Sequence, residues 1–154
     1  MDAVELLKAD HKKVKELFRK FESAGDRAYK EKKEIAETVF MELDVHAKLE
    51  EEIFYPAVRA KGNKEDQEVV DESFEEHHVV DVLIAEMRKM DPKDDGYEAK
   101  FAVVMEMVEH HIEEEEGEMF PDAQKKLGNE MMALGERMMK RKEELTGETA
   151  KARR

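Results

Sequence analysis

His46 and Glu50 stand four residues apart, as do His111 and Glu115. Each pair opens the same pattern, H-x3-E-x4-[YF]-P, which closes on Tyr55-Pro56 in the first copy and Phe120-Pro121 in the second. On an α-helix, residues four apart lie one above the other on one face, about 6 Å apart along the axis. One helix thereby aims an imidazole and a carboxylate at one point, a donor pair that suits iron, zinc or manganese. One such pair is a weak signal. Two in a matched frame are a strong one.

Each pair has a forerunner upstream. Asp10-His11-Lys12-Lys13-Val14 runs into Leu17-Phe18, and Glu76-His77-His78-Val79-Val80 runs into Leu83-Ile84. His11 precedes His46 by 35 residues and His77 precedes His111 by 34, so the chain reads as a helix pair written twice. Each copy carries a His on its first helix and HxxxE on its second.

The elements that must position these groups follow from apolar periodicity. A first helix, capped by Asp2 and Glu5, carries Leu7, His11, Val14, Phe18 and Phe21 on one face and ends near Ser23–Asp26. A second runs from about Tyr29 to Val58 with Ile35, Val39, Leu43, His46, Glu50, Phe54 and Ala57 inward. A turn at Lys61–Lys64 leads to a third, about Glu65 to Met90, with Val70, Phe74, His77, Val80 (or Asp81), Ile84 and Met87 inward. Pro92 and Gly96 mark the next break. The fourth carries Tyr97, Phe101, Val104, Val108, His111 and Glu115, and Gly117 and Pro121 mark its end. The expected fold is all-α, an antiparallel up-down four-helix bundle over residues 1–122. Residues 123–154 form a Met-rich extension in which Leu127, Met131, Leu134, Met138 and Leu145 make a fifth amphipathic helix. Two readings of it stay open: a helix packed on the bundle, or a docking surface for a partner or a second copy.

Composition narrows the function. With no cysteine, thiolate metal sites and cysteine nucleophiles are excluded. A formal charge of −13 argues against nucleic acid, whose phosphates want a basic patch. No apolar run approaches the ~18 residues of a membrane span, and no secretory leader is evident at the start, so a cytoplasmic location is the expectation.

All six His fall inside the four motif segments, and four of them, His11, His46, His77 and His111, lie on inward stripes together with Glu50 and Glu115. Burying two carboxylates without a cation is costly, so these residues are the candidate metal ligands. Adjacent helical residues point about 100° apart, so His78 and His110 cannot face inward with their neighbours. Repeat alignment favours His77 and His111, although His110 and Glu114 are a rival pair beside Val103 and Met107. Glu51 and Glu116, one step on from the motif carboxylates, read first as solvated face and second as outer acceptors for the ligands. A ferritin-like site would need two Glu-x-x-His motifs, and Glu75–His78 supplies one.

The segments DHKKVKELF, HAKLEEEIFYP, EEHHVVDVLI and HHIEEEEGEMFP together resemble the hemerythrin-like (HHE cation-binding) family. The resemblance implies a non-haem centre of two iron ions, bridged by carboxylates and an oxo or hydroxo group. His11, His46, His77 and His111 would be terminal ligands and Glu50 and Glu115 the bridges. Oxygen-carrying members place a further His one turn along the third helix and end in HxxxxD. This chain has Asp81 there and ends in HxxxE. The resemblance therefore implies binding of, or reaction with, O2, peroxide or NO, or iron and oxygen sensing. Catalase-like peroxide scavenging, iron storage and partner binding are the alternatives. Zinc or manganese would accept the same donors.

Overall fold

The computed structural model describes residues 1–152, with side chains through residue 147; Arg153 and Arg154 of the expected tail lie outside the described residues. Helix α1 (Ala3–Ser23) begins at the Asp2/Glu5 capping box. Helix α2 (Tyr29–Leu49) runs on through a π turn, π1 (Glu50–Phe54), into α3 (Tyr55–Lys61). Asn63 and Asp66 cap the start of α4 (Lys64–Arg88). After a link closed by Gly96 at φ +86°, α5 (Tyr97–Glu114) passes through π2 (Glu115–Met119) into α6 (Phe120–Leu127). A 3-10 turn (Gly128–Glu130) then leads to α7 (Met131–Ala152).

The helices form an antiparallel four-helix bundle of two hairpins, α1 with α2 and α4 with α5. Pro121 corrects one expectation: it does not end the fourth helix, and Pro56 likewise lies inside the second, as the expected run to about Val58 implies. A Pro inside an α-helix lacks the N–H for the carbonyl four residues back, and its ring collides with that carbonyl. Here the chain widens by one residue instead. The Tyr55 N–H reaches back to the Glu50 carbonyl and the Phe120 N–H to the Glu115 carbonyl, five residues in each case. Both π turns thus begin at the motif carboxylate and finish just before the motif Pro.

The apolar core lies in two blocks. One gathers Phe18, Phe21, Phe40, Met87, Phe101 and Val104. The other gathers Leu7, Leu49, Phe54, Val70, Phe120 and Leu127, and includes Met131, Leu134, Met138 and Leu145 of the tail. The tail is therefore packed on the bundle, each such side chain contributing roughly 1.5–3 kcal/mol when fully buried. Its approach to α1 is close at Gly135, where a β-carbon would overlap the Met1 carbonyl oxygen and the Asp2 backbone. Backbone cannot yield as a flexible side chain does. Gly135→Ala is accordingly expected to cost about 1–3 kcal/mol, seen as a lower midpoint in thermal unfolding followed by circular dichroism; an unchanged midpoint would show that α7 is not held there.

Candidate metal centre

Between the two apolar blocks lies a polar layer to which all four helices contribute. His11 sits on α1 between Leu7 and Val14, and His46 on α2 between Phe40 and Leu49. On α4, His77 lies between Val70 and Ile84, while His111 of α5 lies between Val108 and Met119. Glu50 and Glu115 open the two π turns one helical step beyond His46 and His111. All six sequence-predicted residues therefore meet in one layer.

The distances divide that layer into two overlapping donor sets. His11, His46, Glu50 and Glu115 form one, and Glu50, His77 and His111 the other. Glu50 Oε1 lies 3.2 Å from His46 Nε2, 3.1 Å from His77 Nε2 and 3.9 Å from His111 Nε2. Glu115 spans the same gap with both oxygens, Oε1 at 3.2 Å from His11 Nε2 and Oε2 at 3.4 Å from His111 Nε2. Glu50 is wholly buried, yet neither of its oxygens nor His46 Nε2 has a hydrogen bond, despite these short separations. A carboxylate so placed is costly unless a cation meets it. The donor chemistry fits a pair of metal ions.

Behind each imidazole stands a carboxylate. The Nδ1–H groups donate from His11 to Glu116 (2.7 Å), from His46 to Asp10 (2.9 Å), from His77 to Glu51 (2.7 Å) and from His111 to Glu76 (2.7 Å). Tying Nδ1 down sets the tautomer and turns Nε2 toward the centre. The arrangement obeys the repeat. The acidic residue before each first-helix His serves the second-helix His of its own copy, and the Glu after each motif carboxylate serves the first-helix His of the other. Glu51 and Glu116 are thus not merely solvated. Asp10 and Glu76 escaped the sequence reading because their partners lie on other helices, although the recurrent acid-His dipeptide was a usable signal.

Charge follows from this packing. Burial alone would lower the His46 pKa, but the nearby Glu50 charge and the Asp10 hydrogen bond outweigh it and raise the value to about 10. Burial likewise opposes His77, which Glu50 and Glu51 raise to about 9. His111 is also raised, against burial, by Glu115, Glu50 and Glu76. Glu50 is pushed up by its burial but held well below the usual carboxylate range by the His46 charge and its other neighbours. Without a metal ion, the raised His46, His77 and His111 values favour protons on these three imidazoles beside the buried carboxylates.

Of the two tyrosines that the sequence leaves open between the site and the core, Tyr55 and Tyr97, Tyr55 reaches the centre. The π turn brings position 55 round to the face of Glu50, and the hydroxyl donates to Glu115 Oε2 at 2.8 Å. It also stands 3.1 Å from His111 Nε2 and 3.3 Å from His77 Nε2. Its counterpart Phe120 has no hydroxyl and stacks on His11, with centroids 5.7 Å apart. Burial, then Glu50 and Glu115, keep the phenol well above its ordinary pKa, so it holds its proton. Tyr97 instead packs in the other apolar block. His78 is exposed, and His110, with a side chain 64% exposed, pairs with Glu114 at 2.5 Å on the outer surface. Asp81, also exposed, lines a cavity that reaches all four inward imidazoles between walls of Val14, Leu43, Val80, Val108 and Ile112.

A helical bundle whose middle layer converges imidazoles and carboxylates on unbonded buried oxygens belongs to the class of cation-binding bundles. The chain is a member of the hemerythrin HHE cation binding domain family, whose model matches residues 2–123. It is similar to the protein Rv2633c of Mycobacterium tuberculosis, at 30% identity over 96% of this chain and 89% of that one. The crystal structure of a hemerythrin HHE cation binding domain-containing protein from Mycobacterium kansasii, the Rv2633c homolog, superposes with a TM-score of 0.82 at 27% identity, covering 96% of this chain and 89% of that one. A DNA nickase from Nostoc is 26% identical over 84% of this chain and 36% of its own length. Among the described residues, no helix is long and apolar enough to cross a membrane.

Proposed function

We propose that the chain is a non-haem dinuclear iron protein that binds or reacts with O2, peroxide or NO. The observation that carries this reading is the Glu50 carboxylate: buried, without hydrogen bonds, and facing imidazole Nε2 atoms from both donor sets. His11 and His46 would hold one ion and His77 and His111 the other, with Glu50 and Glu115 shared. When bound, the iron pair supplies redox chemistry and sites for a small ligand to attach. The cavity is narrow and mostly apolar where it leaves the imidazoles. It suits a diatomic molecule or peroxide better than an organic substrate.

Tyr55 favours a second reading, turnover of peroxide. A retained phenol proton 2.8 Å from Glu115 Oε2 is poised as a hydrogen-bond donor on the His77/His111 side, where the motif's other copy has only Phe120. The four outer carboxylates keep the imidazoles oriented, and the valine-rich walls restrict water.

The test is the visible spectrum of reduced, iron-loaded protein recorded anaerobically, after air and after degassing, with metal content measured in the same samples. A charge-transfer band that appears in air and vanishes on degassing identifies reversible O2 binding. A band that persists identifies oxidation, and peroxide consumption by the wild type but not Tyr55→Phe then identifies the second reading. Failure to hold two iron ions per chain would overturn the proposal, and zinc or manganese in protein purified without added metal would redirect it.

A further inference from the structure

The two halves of the centre are not equally supported. Asp10, which orients His46, is 5% exposed and has both oxygens engaged. Oδ2 accepts from His46 Nδ1 at 2.9 Å, and Oδ1 accepts from Lys142 Nζ at 2.7 Å. Lys142 belongs to α7, beyond the residues matched by the family model. Its place is fixed on either side. Met138 and Leu145 are buried in the core block that contains Leu7 and Leu49, whereas the neighbouring Arg141 makes only a surface pair with Glu52 at 3.0 Å. Glu76, which orients His111 in the other copy, has an 18% exposed side chain and rests partly against solvent.

We infer that Lys142 is a positioning residue of the metal centre: through Asp10 it holds His46, so that the C-terminal helix secures one ion of the pair and not the other. A buried carboxylate that loses one of two partners turns to find water or a new donor. Asp10 would then release its grip on Nδ1, and His46 would lose the restraint that aims Nε2 at the centre. His111 has no such dependence on α7, because the Glu76 side chain is partly exposed and can recruit solvent. This inference rests on the two-ion reading above.

The experiment is an anaerobic Fe(II) titration of the full chain against a competing chelator, resolving the two binding steps, for wild type, Lys142→Met, Lys142→Arg and Arg141→Met. Loss of an outer partner of a metal ligand costs about 10–100-fold in affinity, and the lower end applies one group further out. Lys142→Met is expected to weaken one ion about tenfold and leave the other at the wild-type value. Lys142→Arg, which keeps the charge and a donor, restores most of the loss, and Arg141→Met changes neither step. Lys142→Gln takes the place of Lys142→Met should the latter not fold. Unchanged affinities in the Lys142 variant, an equal fall at both ions, or no rescue by Arg would each overturn the inference. A wild type that binds fewer than two ions would instead remove the reading beneath it.

Discussion

Glu50→Ala and Glu115→Ala are each expected to strip the centre of metal, whereas His78→Ala retains it. Glu50 belongs to both donor sets, and one of its oxygens faces three imidazoles from α2, α4 and α5. Glu115 reaches His11 with one oxygen and His111 with the other. Removing either therefore takes a donor from both ions at once and leaves four imidazoles and a single carboxylate to hold two cations. The loss of affinity should exceed the roughly hundredfold that accompanies removal of an outer partner alone. His78 is exposed and contributes to neither donor set. Metal content after dialysis, with iron titration of the apo variants, measures this. Two ions per chain in both Glu variants would sink the assignment of shared carboxylates.

The six central residues could be read from the chain because they obey two simple periods: the four-residue helical step within each motif and the repeat between motifs. His110 was separated from His111 by the same reasoning, and it lies outside with Glu114. What escaped were groups whose roles depend on something other than the α-helical period. Tyr55 was placed uncertainly because π1 inserts an extra residue per turn, and the only sign of that insertion is Pro56 within an apolar stripe that does not stop. Pro121, its counterpart in the second copy, accounts for the premature helix end expected there. Glu51 and Glu116 looked like members of acidic runs, since nothing local distinguishes a Glu that reaches across to another helix's imidazole from one facing water. Lys142 is separated from Asp10 by 132 residues and lies in a helix for which the sequence supports two packings. Composition also understated the tail: its Met and Leu residues cover the bundle, while Met132 and Met139 remain outside.

Between about pH 6.5 and 10 the apo protein should lose stability that the metal-loaded protein keeps. In the apo protein, the pKa of His46 is raised to about 10 and that of His77 to about 9, with His111 raised as well. A group whose pKa is higher folded than unfolded stabilises the fold fully below its unfolded value, and that contribution is lost as pH rises through the folded one. Apo stability is therefore greatest near or below pH 6.5 on this account, down to where Glu50 begins to protonate, and it declines toward pH 10. Each pKa unit is worth about 1.36 kcal/mol, but the imidazoles share carboxylates and their contributions do not simply add. A net fall of about 3 kcal/mol corresponds to a midpoint roughly 6–12 °C lower for a chain of this size. A metal ion competes for the same Nε2 atoms, so its binding expels those protons and tightens as pH rises. The gap between loaded and apo midpoints should accordingly widen from pH 6.5 to 9.5, with protons released on loading at neutral pH and detectable by an indicator in weak buffer. Parallel melting profiles, or loading without proton release, would mean that the imidazoles are already neutral in the apo protein and that the carboxylates are balanced in some other way.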